Sequence, residues 1–261
     1  MMDTVTHKTL LYKSGVEYAD FCLNHVVGCS HGCKYPCYAF LLKKRCGVVK
    51  TYEEWCKPKL VSNALELLNY EIPKYKQMIH HVHLCFSTDP FMYRQDVVCN
   101  LSLQIIAKLN SHGIRCTVLT KGILPKKIGQ EKGLSKNNEY GITVVSLKET
   151  FREEYEPNTA PYVERINALK FLHTKGLRTW VSVEPYPPPN IIDQDLDEIL
   201  DRLSFVNKIV FGRLNYNSRV SEFKRHKEYY NYLARKVISF CQKRGIVHHI
   251  KDGTQLRANN K

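Results

Sequence analysis

The chain has 261 residues, 43% of them hydrophobic, and carries 39 Lys and Arg against 25 Asp and Glu, a formal net charge of +14. That length suits a single barrel or open α/β sheet better than two separate domains, and no apolar run approaches the roughly 20 residues needed to span a bilayer, which argues against a membrane partner. The charge excess should attract polyanions in a salt-sensitive way, so nucleic acid is a leading partner class; the alternative is that the charges only solvate helix faces.

The start, MMDTVTHKTLLYKSG, has neither a signal-peptide apolar stretch nor a transit-peptide composition, so a cytoplasmic location is expected and the ten cysteines are read as reduced thiols. After an extension over residues 1–20, short apolar segments predict strands at Phe21 to Val27, His80 to Phe86, Arg115 to Thr120, Gly141 to Leu147, Arg178 to Val183 and Lys208 to Phe211. Helical patterns lie between them at Lys59 to Asn69, Val97 to His112, Lys126 to Lys132, Pro161 to His173 and Asp195 to Leu203, with Gly113 and Gly176 as stop signals. This rhythm implies an α/β fold with a parallel sheet and right-handed crossovers, doubly wound or curled into a partial barrel. A last helix, Glu222 to Lys243, buries Tyr230, Leu233, Ala234, Val237 and Cys241 and belongs to a C-terminal part over residues 216–261.

Two strands alternate in a way that places polar groups on one face. In the second, Val82, Leu84 and Phe86 oppose His83, Cys85 and Ser87; in the fifth, Val181 and Val183 oppose Trp180, Ser182 and Glu184. A parallel strand buried on both faces would be apolar throughout, so the polar face implies a ligand in the lumen. His81 and His83 share one side and His80 the other, which argues against a three-His metal site.

The segment GCSHGCKYPCYAF sets Cys29, Cys33 and Cys37 in one Gly-punctuated loop after the first strand. Three thiolates suit a cubane with one open iron, whereas a structural zinc site needs a fourth ligand, for which His31, Cys46 or Cys56 are available. NHVVGCSHGCKYPCYA resembles the cluster loop of radical S-adenosylmethionine enzymes related to spore photoproduct lyase. The resemblance continues through STDPF (Ser87 to Phe91), Thr120 and Lys121, Ser146, EPNTAPYVERINALKFLHTKG and VSVEP, covering roughly residues 20 to 215. The spacing departs from the family's C-x3-C-x2-C: Pro36 makes it C-x3-C-x3-C, so the loop must bulge there.

The resemblance implies a partial (β/α)6 TIM-type barrel over residues 21–215, with a [4Fe–4S] cluster on Cys29, Cys33 and Cys37. That cluster would cleave S-adenosylmethionine to a 5′-deoxyadenosyl radical, with a flavodoxin or ferredoxin as electron donor. It further implies that Tyr35 or Tyr38 packs near the adenine, Ser87 meets the methionyl group, Lys121 pairs with its carboxylate, and Ser146 and Ser182 bind ribose or carboxylate. Tyr38 as core, Lys121 as a solvated lysine and the serines as helix caps are the plainer alternatives. Glu184 would bind adenosine or substrate, or neutralise an Arg. Cys85, two residues before Ser87, matches the family position that returns a hydrogen atom to the substrate radical; otherwise it is a small buried hydrophobe. Arg213 and Asn215 are expected at the rim. Only 28 residues precede Cys29, which leaves no room for a sizeable N-terminal domain. The resemblance and the basic, aromatic stretch EFKRHKEYYNYLARK favour action on a nucleic acid or nucleotide. The alternatives are a radical enzyme for a peptide or small metabolite, and a non-enzymatic metal-cluster protein that binds nucleic acid.

Overall fold

The computed structural model describes residues 2–15, 19–130 and 133–255. The chain opens with strands β1 (Thr4–Val5), β2 (Leu11–Lys13), β3 (Phe21–Leu23) and β4 (Val26–Val27). Helices α1 (Tyr38–Arg45) and α2 (Tyr52–Trp55), strand β5 (Lys59–Val61), helix α3 (Ala64–Tyr75) and strand β6 (His81–Leu84) follow. Next come α4 (Asp96–Ser111), β7 (Arg115–Thr120), β8 (Glu139–Thr143), α5 (Glu149–Tyr155), α6 (Tyr162–Thr174) and β9 (Arg178–Tyr186). The chain then runs through α7 (Leu196–Arg202), β10 (Lys208–Arg213), α8 (Ser218–Glu222), α9 (His226–Arg244) and β11 (Val247–Ile250).

Eight strands make one sheet in the order β11-β10-β9-β8-β7-β6-β3-β2, parallel throughout except for the β2–β3 pair. Strands β3 and β6 to β10 lie side by side in chain order, as a partial (β/α)6 barrel requires, and the edge strands β2 and β11 do not pair to close it. Val82, Leu84, Val118, Ile142, Val181, Val183, Ile209 and Phe211 share one core with helix residues such as Ile106, Leu169, Leu200 and Val237. Each such side chain contributes roughly 1.5–3 kcal/mol relative to exposure. Among the described residues no helix is long and apolar enough to cross a membrane.

Several elements differ from the sequence expectation for local reasons. The first predicted strand is broken after Leu23: Asn24 turns its Oδ1 to the backbone N–H and hydroxyl of Ser87, and Val26–Val27 pairs with β5 in a separate small sheet. Lys59–Val61 is a strand, not the start of a helix, so α3 begins at Ala64. Strand β8 spans Glu139–Thr143 and ends short of Ser146. The Lys126 to Lys132 helix is a single 3-10 turn over Lys126–Gly129, residues 131 and 132 lying outside the described ones. Helices α4 and α6 stop close before Gly113 and Gly176, both at positive φ, as expected. The unpredicted β2 and β11 are short edge strands with no alternation to announce them; β2 is held by Glu71, whose carboxylate accepts from the backbone N–H of Leu10 and Leu11 at 2.8–3.1 Å.

Candidate active site

At one end of the sheet the strand termini and the cysteine loop enclose a cavity of about 480 Å³, within the range of roughly 300–1,000 Å³ typical of small-molecule pockets. Cys29, Cys33 and Cys37 all line it, facing Cys85 and Ser87 after β6, Lys121 after β7, Thr143 of β8 and Ser182 and Glu184 of β9. Arg213 and Asn215 line it too, together with Tyr216 and Lys251.

The loop is pinned from several sides. Gly28 has φ +90°, and a Cβ there would stand 2.6 Å from the Trp55 carbonyl, which accepts from the Cys29 N–H at 2.9 Å; only glycine permits that approach. The Tyr52 hydroxyl donates to the Cys33 carbonyl, and Lys34 N–H donates to Tyr155 O at 2.8 Å. Cys37 forms the N-cap of α1, and Pro36 before it lines the cavity.

His31 is not available as a metal ligand. Its Nε2 accepts from the Tyr93 N–H at 3.0 Å and its Nδ1 lies 3.5 Å from Asp89 Oδ2. Burial holds its pKa down at about 4, against the pull of Asp89. Cys46 and Cys56, the other fourth-ligand candidates, do not line the cavity. Among the described residues, no three His, Cys, Asp or Glu side chains lie close enough to share a single ion. Three thiols lining one cavity fit an iron–sulfur cluster, whose cysteines bind different irons. Burial raises the Cys33 pKa to about 12, partly offset by Lys121, and raises that of Cys29 well above the usual thiol value, so metal must displace protons from both.

Asp89, in the STDPF element, ties three parts of the site together. Its Oδ1 accepts from Phe91 N–H at 2.9 Å and the Thr120 hydroxyl at 2.6 Å, and its Oδ2 accepts from Lys121 N–H at 2.8 Å.

Beneath the loop lies a charged cluster that sequence reasoning missed. Glu156, fully buried, accepts from Lys121 Nζ at 2.6 Å, Arg165 at 2.8 Å and the Tyr35 hydroxyl at 2.8 Å. Burial alone would raise its pKa, but Lys121 and Arg165 outweigh this and hold it at about 2. Lys121 Nζ stands 3.8 Å from Cys33 Sγ and 4.7 Å from the centre of the Tyr35 ring. Lys121, which the resemblance pairs with a ligand carboxylate, lines the cavity with its ammonium engaged by Glu156 and set against Cys33.

The other expected residues divide clearly. Tyr35 is buried and stacked on Tyr155, with its hydroxyl committed to Glu156, whereas Tyr38 is 44% exposed and donates to the Phe86 carbonyl. Ser182 is buried at the cavity wall, and Glu184 lies beside Gly212. Ser146 is not brought to the cavity: because β8 ends at Thr143, Ser146 is buried further on and accepts from the Lys148 N–H at 3.1 Å, and Thr143 occupies the lining position. Cys85 reaches the cavity, though not by strand pleat. The strand ends at Leu84, and Cys85 has φ +58°, a conformation that costs a non-glycine residue roughly 1–3 kcal/mol.

The radical SAM superfamily model matches residues 23–203. Two uncharacterized relatives are each 24% identical: one from Acidianus two-tailed virus over 204 residues, 72% of this chain and 64% of that protein, and one from Methanocaldococcus jannaschii over 212 residues, 80% and 76% respectively. The chain thus spans just under two thirds of the viral relative's length. Among solved structures, spore photoproduct lyase complexed with dinucleoside spore photoproduct superimposes with a TM-score of 0.65 at 13% identity, over 95% of this chain and 80% of that one. A mutant of that lyase with bound AdoMet and the same dinucleoside gives 0.64 at 12% identity, over 94% and 80%. These likenesses show the fold, and the family match spans well over half of the 261 residues: the chain belongs to the radical SAM superfamily.

Proposed function

We propose that Cys29, Cys33 and Cys37 hold a [4Fe–4S] cluster, that S-adenosylmethionine occupies the adjoining cavity, and that the substrate is a nucleic acid or nucleotide. The observation that carries this is the opening of all three cysteines, and of Cys85, onto one cavity at the strand ends. When bound, the two cofactors supply a 5′-deoxyadenosyl radical. The chain's own residues bind, orient and exclude water. Ser87 and Ser182 offer hydroxyls at the wall and Glu184 a carboxylate, while Lys121, held by Glu156, donates toward Cys33. Cys85 then gives a hydrogen atom to a carbon-centred substrate radical. Its S–H bond breaks, a C–H bond forms and the unpaired electron moves to sulfur, where one electron from the one-electron reductant that the cluster itself requires and one proton from solvent restore the thiol.

The net charge of +14 supports the substrate class, as does the rim, where Arg213 and Lys251 stand with Tyr38 and Tyr216, the latter 73% exposed. The basic stretch of α9 contributes less than its composition promised, because Lys236 is paired with Asp197 and Arg225 with Glu228. The relatives with bound dinucleoside point to the same class of substrate. A fluorescent single-stranded DNA or RNA oligonucleotide should therefore bind, and weaken by roughly tenfold or more between 50 and 200 mM salt if several phosphates are contacted. Absence of salt-dependent binding to either would move the substrate to a peptide or small metabolite.

A further inference from the structure

His25, four residues before Cys29, is fully buried and takes no part in the cluster loop's hydrogen bonds described above. Its Nε2 lies 2.7 Å from the Ser102 hydroxyl, and that hydroxyl donates its only proton to the Pro90 carbonyl. Ser102 must therefore accept from the ring, which fixes the proton on Nε2 and leaves a lone pair on Nδ1. Nδ1 stands 3.4 Å from Cys85 Sγ, and Cys85 itself is held in a left-handed backbone conformation by its N–H bond to the Leu23 carbonyl at 2.7 Å.

We propose that His25 is a positioning residue for Cys85: locked in one tautomer by Ser102 and Pro90, it takes the Cys85 S–H on Nδ1 and fixes the thiol at the cavity wall. This rests on the assignment of Cys85 as hydrogen-atom donor. Elsewhere a Cys–His pair serves as an ion-paired nucleophile, with the proton on the ring. Here both groups are buried, which holds the ring at about 3 and the thiol at about 12, so the pair is neutral near pH 7. The distinction matters for the chemistry, since a thiolate has no hydrogen atom to give. A neutral S–H···N contact keeps the atom on sulfur while orienting a side chain that the strand pleat does not orient.

Infrared spectroscopy of the cluster-loaded full chain reads that contact without any turnover. Subtracting the spectrum of Cys85→Ala isolates the Cys85 S–H stretch, expected to be broadened and at lower wavenumber than a free thiol's. His25→Phe should move the band up to the free position; His25→Asn, which sets a carbonyl oxygen near the place of Nδ1, should keep it low. Ser102→Ala, which releases the tautomer, should also move it up, with iron content and circular dichroism unchanged. A wild-type band at the free-thiol position, or one unmoved by both His25→Phe and Ser102→Ala, overturns the proposal. Failure of the donor assignment shows elsewhere, as an unchanged product of the substrate radical in Cys85→Ala, so the two can be told apart.

Discussion

Replacing any one of Cys29, Cys33 and Cys37 by Ala is expected to abolish iron–sulfur loading and S-adenosylmethionine cleavage together while leaving the fold intact. The three side chains bound one cavity, and neither His31, Cys46 nor Cys56 stands ready to replace a lost ligand. The backbone of the loop, by contrast, is held by groups that the substitutions do not touch: the Trp55 and Tyr155 carbonyls and the Tyr52 hydroxyl. Truncating a partly exposed thiol to a methyl group removes little packing, so thermal stability of the metal-free protein should change by less than about 1 kcal/mol. Iron content and 5′-deoxyadenosine release, measured on anaerobic protein, check the first half; circular dichroism checks the second. A variant that keeps both its iron and its cleavage would remove that cysteine from the cluster.

The second large effect is expected at Glu156. Changing it to Gln leaves the fully buried Arg165 and the mostly buried Lys121 without their shared carboxylate, and breaking a buried ion pair by removing one partner costs roughly 3–5 kcal/mol. The pH dependence carries the same signature. The folded-state pKa of Glu156, about 2, lies below the ordinary 4.5, so the unfolded chain binds its proton first as pH falls. The carboxylate's contribution is therefore complete above about pH 4.5 and is lost as pH drops toward 2, whereas Glu156→Gln should lack that component. Urea denaturation of the two proteins at pH 7 and at pH 4 measures both. A difference below about 1 kcal/mol at pH 7 would mean that Lys121 and Arg165 find other partners and that the cluster beneath the loop is not structural. Because Lys121 also reaches Cys33, the same substitution should weaken iron retention.

The features that were legible in the sequence are those carried by a few consecutive residues. Cys29, Cys33 and Cys37, and Ser182 with Glu184, announce themselves by spacing, the STDPF element by its resemblance to the family's, and the parallel sheet by repeated apolar segments. The charged cluster was not legible because Lys121, Glu156 and Arg165 follow β7, follow α5 and sit in α6, and only the folded chain brings them together. The same applies to His25 and Ser102, which are 77 residues apart. Two strands are shorter than their segments predict. Ser146, assigned to the site by the resemblance, lies beyond a strand that ends at Thr143 and accepts a backbone N–H outside the cavity. Cys85 was directed to the lumen by alternation that stops at Leu84; the backbone at φ +58° brings it there instead. Local pattern fixes which residues are polar and close in the chain, but strand ends and buried pairs depend on partners that no local window contains.

Anaerobic reconstitution of the wild-type chain with iron and sulfide, followed by reduction in the presence of S-adenosylmethionine, tests the cluster on Cys29, Cys33 and Cys37 most directly. About four irons per chain are expected, with an electron paramagnetic signal of the reduced cluster that changes on addition of S-adenosylmethionine and with release of 5′-deoxyadenosine and methionine. Stoichiometric zinc without iron in protein never exposed to air, or a full complement of iron that releases no 5′-deoxyadenosine, would contradict it.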